Sequence, residues 1–388
     1  MRKLCVGGTD CVSVHACSSI SRNSPDGVLC PKLEWLEWVG IDLPSTPLCS
    51  FRLFLSPHLK RVSIGTCIPS ARMSVIRWDQ NYAAQVISRL PASLEHLSLE
   101  FGPWEGDPIE SAISSRVLRC GPLLRSFDSE TPLSDAALQH LMQLPNLRSW
   151  VAYYGPPRTC PLVAFPSLEE LRLTPEGLPW LHLLAVCGDS GNDLAPTATV
   201  MKTNYKETLK LLHCPKNTPV DRTLLSSILS FRNLVALRVK NDCCKIKGTC
   251  TFGLTDDDVE NLAIALPSLT EVEFGKGCHL NSCRTTVASL LSISTNWLGL
   301  TLLEIHFNTR TIAKDMRRLL DGGFGSDKPR CGLERLWVGH LPLRARKEIG
   351  VVAMGFADIF PCLKDFASWD GRCSPGWWRV ASELRARD

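Results

Sequence analysis

Leu254-Thr-Asp-Asp-Asp-Val-Glu-Asn-Leu-Ala-Ile-Ala-Leu266-Pro-Ser-Leu269-Thr-Glu-Val272-Glu-Phe274, with Leu300-Thr-Leu-Leu303-Glu-Ile305-His-Phe-Asn308 some thirty residues on, is the stretch whose reading decides the fold. Thr255 is placed to cap a helix, and Asp258 three residues later reaches back in a variant of the capping box. Val259, Leu262, Ala263 and Leu266 then recur at helical spacing. Pro267 stops the helix, because its ring removes a backbone donor and blocks the preceding turn. Leu269, Val272 and Phe274 follow at the stride of a short strand. The second stretch repeats that stride and adds Asn308 at the ninth position.

The stride Leu-x-x-Leu-x-Leu-x-x-Asn is the strand signature of a leucine-rich repeat. It recurs from anchors at Leu33, Leu59, Leu94, Leu124, Leu147, Leu168, Leu234, Leu269, Leu300, Leu333 and Leu363. Neighbouring anchors stand 21 to 35 residues apart, except for one gap of 66 that a degenerate repeat around Leu209 and Leu212 fills. A proline often sits just before the anchor, as at Pro31, Pro57, Pro122, Pro145, Pro166, Pro267 and Pro361. Helical patterns lie between, over Ser134–Leu144, Asp221–Leu229, Thr286–Ile293, Asp315–Leu320 and Arg344–Ile359. The expectation is an α/β leucine-rich-repeat solenoid of about 11–12 irregular repeats, a curved horseshoe with parallel strands on its concave face and helices on its convex face. Residues 1–28 form a poorly ordered N-terminal segment, and 29–388 form the solenoid. A degenerate repeat with a loop insertion falls near 178–212, and a C-terminal cap near 344–388. Asp321–Lys328 is expected to be a loop.

Apolar residues make up 44% and charged residues 21% of the chain, which describes a folded chain and not a disordered one. A net charge of +4 gives no case for nucleic-acid binding. No apolar run reaches the ~18 residues of a membrane span, and Asp10 and His15 interrupt any signal-peptide core. The expected location is the cytoplasm or nucleus. There a reducing environment keeps the 18 cysteines as thiols, most of them small buried hydrophobes.

Two motifs resemble catalytic signatures and lack their context. Gly188-Asp-Ser190-Gly191 has the nucleophile tetrapeptide of trypsin-like proteases without the barrel that would align a base. Asp321-Gly-Gly-Phe-Gly325 lacks the Lys-Ser/Thr ending of a phosphate loop. No enzyme and no cofactor are expected. Cys243, Cys244 and Cys250 with Cys278, His279 and Cys283 follow neighbouring strands, so four ligands could converge on zinc; a disulfide and unlinked thiols remain the alternatives.

The strand face is where a repeat solenoid binds. Counting from each anchor, the third, fifth and seventh positions point there, among them Trp35, Arg61, His96, Tyr153 and Trp369. The expected partner-binding set is Arg172, Arg238, Lys240, Glu271, Glu273, Glu304, His306, Arg335 and Trp337. Arg172, Arg238 and Lys240 read as a basic stretch beside an acidic one of Glu271, Glu273 and Glu304, and Trp and Arg are the types enriched at binding hot spots.

The chain resembles the leucine-rich-repeat region of the F-box-like protein families of mushroom-forming fungi. The resemblance rests on Leu254–Leu269, on Thr286-Val-Ala-Ser-Leu-Leu-Ser-Ile-Ser-Thr295 and on Leu303-Glu-Ile-His-Phe-Asn308. It extends through Leu333-Glu-Arg-Leu-Trp-Val-Gly and Val352–Leu363. It implies the substrate-binding arm of a ubiquitin-ligase receptor, which holds a protein partner on its strand face. The Leu-Pro-x-Glu-Ile/Leu opening of an F-box is missing, so an adaptor partner is implied only if an F-box lies upstream. The alternative is a structural or residual scaffold, a truncated paralogue with no ligase role.

Overall fold

Leucines that recur at a fixed stride fold only if each one finds cover, and here each strand is followed by a helix or loop that returns the chain to the next strand. The computed structural model describes residues 2–7, 19, 28–39, 53–65, 80–100, 107–153, 165–174, 180–181, 208–214, 220–239, 253–274, 284–306, 308, 311–322, 330–338, 349–368 and 375–386. It is an α/β protein in which, among the described residues, thirteen strands, all parallel and joined in chain order, alternate with helices. The chain divides into two compact units: Met1–Leu171 with Ser190–Tyr205, and Arg172–Asp189 with Lys206–Asp388.

In the first unit, strands β1 (Lys3–Gly7), β2 (Trp35–Val39), β3 (Arg61–Gly65), β4 (His96–Glu100), β5 (Ser126–Ser129) and β6 (Ser149–Ala152) pair in that order. Helices α1 (Gln80–Ser88), α2 (Asp107–Leu118) and α3 (Asp135–Gln143) pack on one another in turn. The sheet is open. Strand β7 (Glu170–Leu173) straddles the division between the units.

The second unit holds β8 (Leu211–Cys214), α4 (Arg222–Leu229), β9 (Ala236–Val239), α5 (Asp256–Ala265), β10 (Glu271–Phe274) and α6 (Val287–Asn296). It continues with β11 (Leu302–Ile305), α7 (Ile312–Gly322), β12 (Arg335–Val338), α8 (Ile349–Ile359), β13 (Asp365–Ser368) and α9 (Pro375–Arg385). Strands β8 to β13 again pair in sequence.

The anchors from Leu33 to Leu333 are all buried to 1% exposure or less, as is Leu209 of the degenerate repeat. Each fully buried leucine contributes roughly 1.5–3 kcal/mol relative to exposure. Within the strands burial alternates: Leu36 and Trp38 of β2 and Val62 and Ile64 of β3 face the core, while Trp35, Glu37 and Arg61 face away from it. That period of two follows from the pleat. It divides the strand residues into a core set and a face set.

A ladder of hydrogen bonds fixes the register. The N–H of the residue after each anchor donates to the carbonyl of its counterpart one repeat earlier. In the first unit these are Lys60 to Glu34 (2.8 Å), Glu95 to Lys60 (2.8 Å), Arg125 to Glu95 (2.7 Å) and Arg148 to Arg125 (2.7 Å). In the second they are Val235 to Lys210 (2.7 Å), Thr270 to Val235 (2.8 Å) and Thr301 to Thr270 (2.9 Å).

The capped helix in the opening stretch forms as its residues dictate. Asp258 N–H donates to Thr255 Oγ1 (3.2 Å), and Thr255 N–H donates to Asp258 Oδ2 (3.0 Å). Asp256, one residue into α5, ties that helix to the next. Thr286 donates to its carboxylate from both N–H and Oγ1, each at 2.7 Å, and Ser289 Oγ donates to it as well. Ser134, Asp221 and Thr286 cap α3, α4 and α6.

Two expectations change. Lys3–Gly7, inside the segment expected to be poorly ordered, is a strand in register with β2, Lys3 opposite Trp35 and Val6 opposite Trp38. Leu4 and Val6 alone are too short a pattern to carry the signature. The expected loop at Asp321 begins later, because α7 continues through Gly322. The Gly188–Gly191 tetrapeptide, residues 323–328 and the Arg344–Lys347 start of the expected last helix lie outside the described residues. At the C-terminal end, α9 seats Trp377 (1% exposed) against Phe356 and Phe366, with ring centroids 6.3 and 5.5 Å away.

Candidate functional site

Parallel pairing in register places the face residues in rows that run across the strands. In the second unit one row is Arg238, Glu273, Glu304 and Trp337; the row beside it is Ala236, Glu271, Leu302, Arg335 and Asp365. Most of the expected binding residues therefore do share a surface of the sheet, but their environments differ from the expected one.

Arg238 of the expected basic stretch is neutralised by Glu271 and Glu273 of the acidic one. Arg238 Nη2 donates to Glu271 Oε2 at 2.9 Å, and its Nε lies 2.8 Å from Glu273 Oε1. The Glu273 carboxylate is largely withdrawn from water, its side chain 11% exposed against 31% for Arg238. Glu304 (3% exposed) and His306 (0%) are buried, so neither is open to a partner as the alternation alone suggests. Thr285 Oγ1 donates to the His306 carbonyl at 2.5 Å, so the segment after β11 is held in place. Arg335 is exposed and Trp337 half-buried beside it. Arg172 is exposed on β7. Lys240, Trp369 and the cluster Cys243, Cys244, Cys250, Cys278, His279 and Cys283 lie outside the described residues. Among the described residues no group of three or more His, Cys, Asp or Glu side chains could hold a metal ion.

The first unit presents a more open row, on residues outside the expected binding set. Lys3, Trp35, Arg61, His96, Ser126 and Ser149 stand in register across β1 to β6. The Trp35 ring takes a cation from each side: Lys3 Nζ lies 3.4 Å from its centroid and the Arg61 guanidinium 5.4 Å. Each such contact contributes about 0.5–1 kcal/mol at a surface. Burial first, and Arg61 on the preceding strand second, hold the His96 imidazole below its usual range. Ser149 Oγ closes the row by donating to Glu170 Oε2 at 2.9 Å.

A column of charges that the scan for leucines passes over lies at the turn edge of this unit. It consists of Arg2, Glu34, Lys60, Glu95, Arg125, Arg148 and Glu169, one from each repeat. The signal was present, since all of them but Arg2 follow an anchor by one residue, but it is visible only once the anchors are aligned. Arg2 pairs with Glu34 (3.8 Å), Arg125 with Glu95 (3.7 Å) and Arg148 with Glu169 (3.6 Å).

Among the described residues no helix is long and apolar enough to cross a membrane. No protein-family model matches the chain, and no curated protein matches it either.

Proposed function

We propose that the chain is a leucine-rich-repeat solenoid acting as a non-enzymatic recognition module, with a protein partner bound on the strand face. The observation that carries this reading is the alternation in β2, β3 and β4 of buried apolar residues with an outward set that includes Trp35, Arg61 and His96. Trp35 between Lys3 and Arg61, and Arg335 beside Trp337, have the composition of binding hot spots. The resemblance to F-box-like proteins narrows the role to the substrate arm of a ubiquitin-ligase receptor working in the cytoplasm or nucleus. A ubiquitin-ligase adaptor is a partner in this reading only if an F-box lies upstream.

A structural scaffold is the second reading. It is favoured by the Arg238–Glu271–Glu273 cluster, whose charges are satisfied within the chain. The two are separated by affinity purification of wild type and of two folded variants, Trp35→Ala/Arg61→Ala and Arg335→Ala/Trp337→Ala. Partners lost from either variant support recognition on the face. An unchanged set of partners from both, or none from wild type, supports the scaffold.

A further inference from the structure

The turn-edge column of the first unit carries an odd number of charges, and its pairing leaves one cation over. Glu34 has a cation on each side, Arg2 one repeat before and Lys60 one repeat after, and it pairs with Arg2. Glu95 likewise lies between Lys60 and Arg125 and pairs with Arg125. Both carboxylates are thus drawn away from Lys60, which has no ion pair among the described residues. The position just before each anchor forms a second column, Lys32, His58, Ser93 and Leu123. Lys32, like Lys60, is exposed and has no ion pair among the described residues.

The second column and the Arg2–Glu95 part of the first line a groove of about 460 Å³. Lys32, His58 and Lys60 line it together with the engaged Glu34 and Glu95. With Arg2, three full cations in the lining stand against two carboxylates, so the groove is net positive before His58 is considered. Pro57 and Leu123 add apolar contact along the walls. The register repeats each column at the strand spacing of about 4.8 Å, so a chain laid across the repeats meets a cation more than once along its length.

We infer that this groove takes an acidic peptide segment of a protein partner, with carboxylates seated on Lys60 and Lys32 and the backbone laid along the turn edge. The groove lies at the turn edge and not on the strand face, so the inference does not depend on the strand-face reading. Extended acidic peptide fits better than a small anion. The cations lie in separate repeats with carboxylates between them, an order that suits a ligand whose charges are spaced along a chain. The side chains that lead into the groove are long and exposed, so the attraction is a surface one that salt weakens.

The test is fluorescence anisotropy of a fluorescein-labelled hexaglutamate peptide with the full chain, beside Lys32→Glu/Lys60→Glu and a control, Arg317→Ala, at an exposed cation of α7. Urea unfolding establishes that each variant is folded, and Lys32→Gln/Lys60→Gln replaces the reversal if it is not. Wild type binds the peptide, and the Lys32/Lys60 variant binds at least about tenfold more weakly, since two attractive contacts become repulsive. Arg317→Ala leaves binding unchanged. Raising the salt from about 50 to about 200 mM weakens wild-type binding several-fold. Equal binding by wild type and the Lys32/Lys60 variant overturns the site. No hexaglutamate binding, with inorganic phosphate or phosphatidylserine vesicles captured instead through the same lysines, overturns the ligand class.

Discussion

Replacing Arg238 by methionine keeps most of the stem that packs on the sheet and removes the charge that holds two carboxylates. The substitution breaks a 2.9 Å hydrogen bond to Glu271 and a 2.8 Å ion pair with Glu273. The two are not equal. Glu271 is 33% exposed and recovers water, so its arm is worth about 0.5 kcal/mol, as for surface pairs. Glu273, with its side chain 11% exposed, recovers little water, and stranding such a carboxylate approaches the 3–5 kcal/mol cost of breaking a fully buried pair. Because Arg238 is itself about a third exposed, we expect a combined loss of about 2–3 kcal/mol. Urea unfolding of wild type, Arg238→Met, Glu273→Gln and the double variant measures it. The double variant should be less destabilised than the sum of the singles by about 1–2 kcal/mol, as residues in direct contact are. A loss below about 0.5 kcal/mol for Arg238→Met, or strict additivity, refutes the reasoning. The same geometry forecasts that Arg238→Glu, which sets three carboxylates side by side, destabilises the second unit. Loss of a partner from that variant would therefore report folding and not recognition.

Gly355→Ala should destabilise by roughly 1–3 kcal/mol as an overpacking change, because a Cβ there would meet Met316 Cγ at 2.9 Å and Cβ at 3.1 Å. Met316→Ala in the same chain should restore part of the loss, and thermal unfolding of the pair decides it. Asp256→Ala removes three hydrogen bonds to α6 and should cost about 2–4 kcal/mol in urea unfolding, against roughly 0.5–1 for the exposed neighbour Asp257→Ala. The thiol of Cys214 is pushed up to about 12 and that of Cys331 to about 11 by burial. Both should resist iodoacetamide at pH 8 until urea unfolds the chain, while exposed Cys5 and Cys362 react in the native state, as mass spectrometry of the labelled peptides would show. Their raised values also mean that the stability they contribute is complete below the ordinary thiol value of 9.0 and is lost as pH climbs towards 11–12.

The repeat was legible because burial enforces it. Leu33, Leu94, Leu234 and Leu300 cannot sit at full burial on the same side of a parallel sheet unless they recur at one stride, and the stride is what the sequence displays. Helix caps at Ser134, Asp221, Thr255 and Thr286 were legible for the same local reason. Strand β1 was not, because Leu4 and Val6 occupy a strand with only one described neighbour and need no long apolar pattern. The candidate site was legible only as a set of outward positions. Alternation assigns Glu273, Glu304 and His306 to the same face as Arg335, but burial separates them, since it depends on what covers the face. Pairing, too, is a property of register: Arg238 meets Glu271 and Glu273 because Arg238 stands opposite Glu273 across the ladder. The odd cation Lys60 shows the same point. Its charge is plain in the sequence, and its lack of an ion pair follows only from which neighbour each glutamate chooses.

Site-specific photo-crosslinking tests the central claim, that recognition uses the strand face, most directly. A benzoyl-phenylalanine placed at His96 or Arg335 samples that face, and one placed at exposed Ser115 of α2 or Lys314 of α7 samples the helices. The account predicts that a partner is captured from His96, Arg335 or both and from neither helix position. Capture from Ser115 or Lys314 with none from the strands would contradict it.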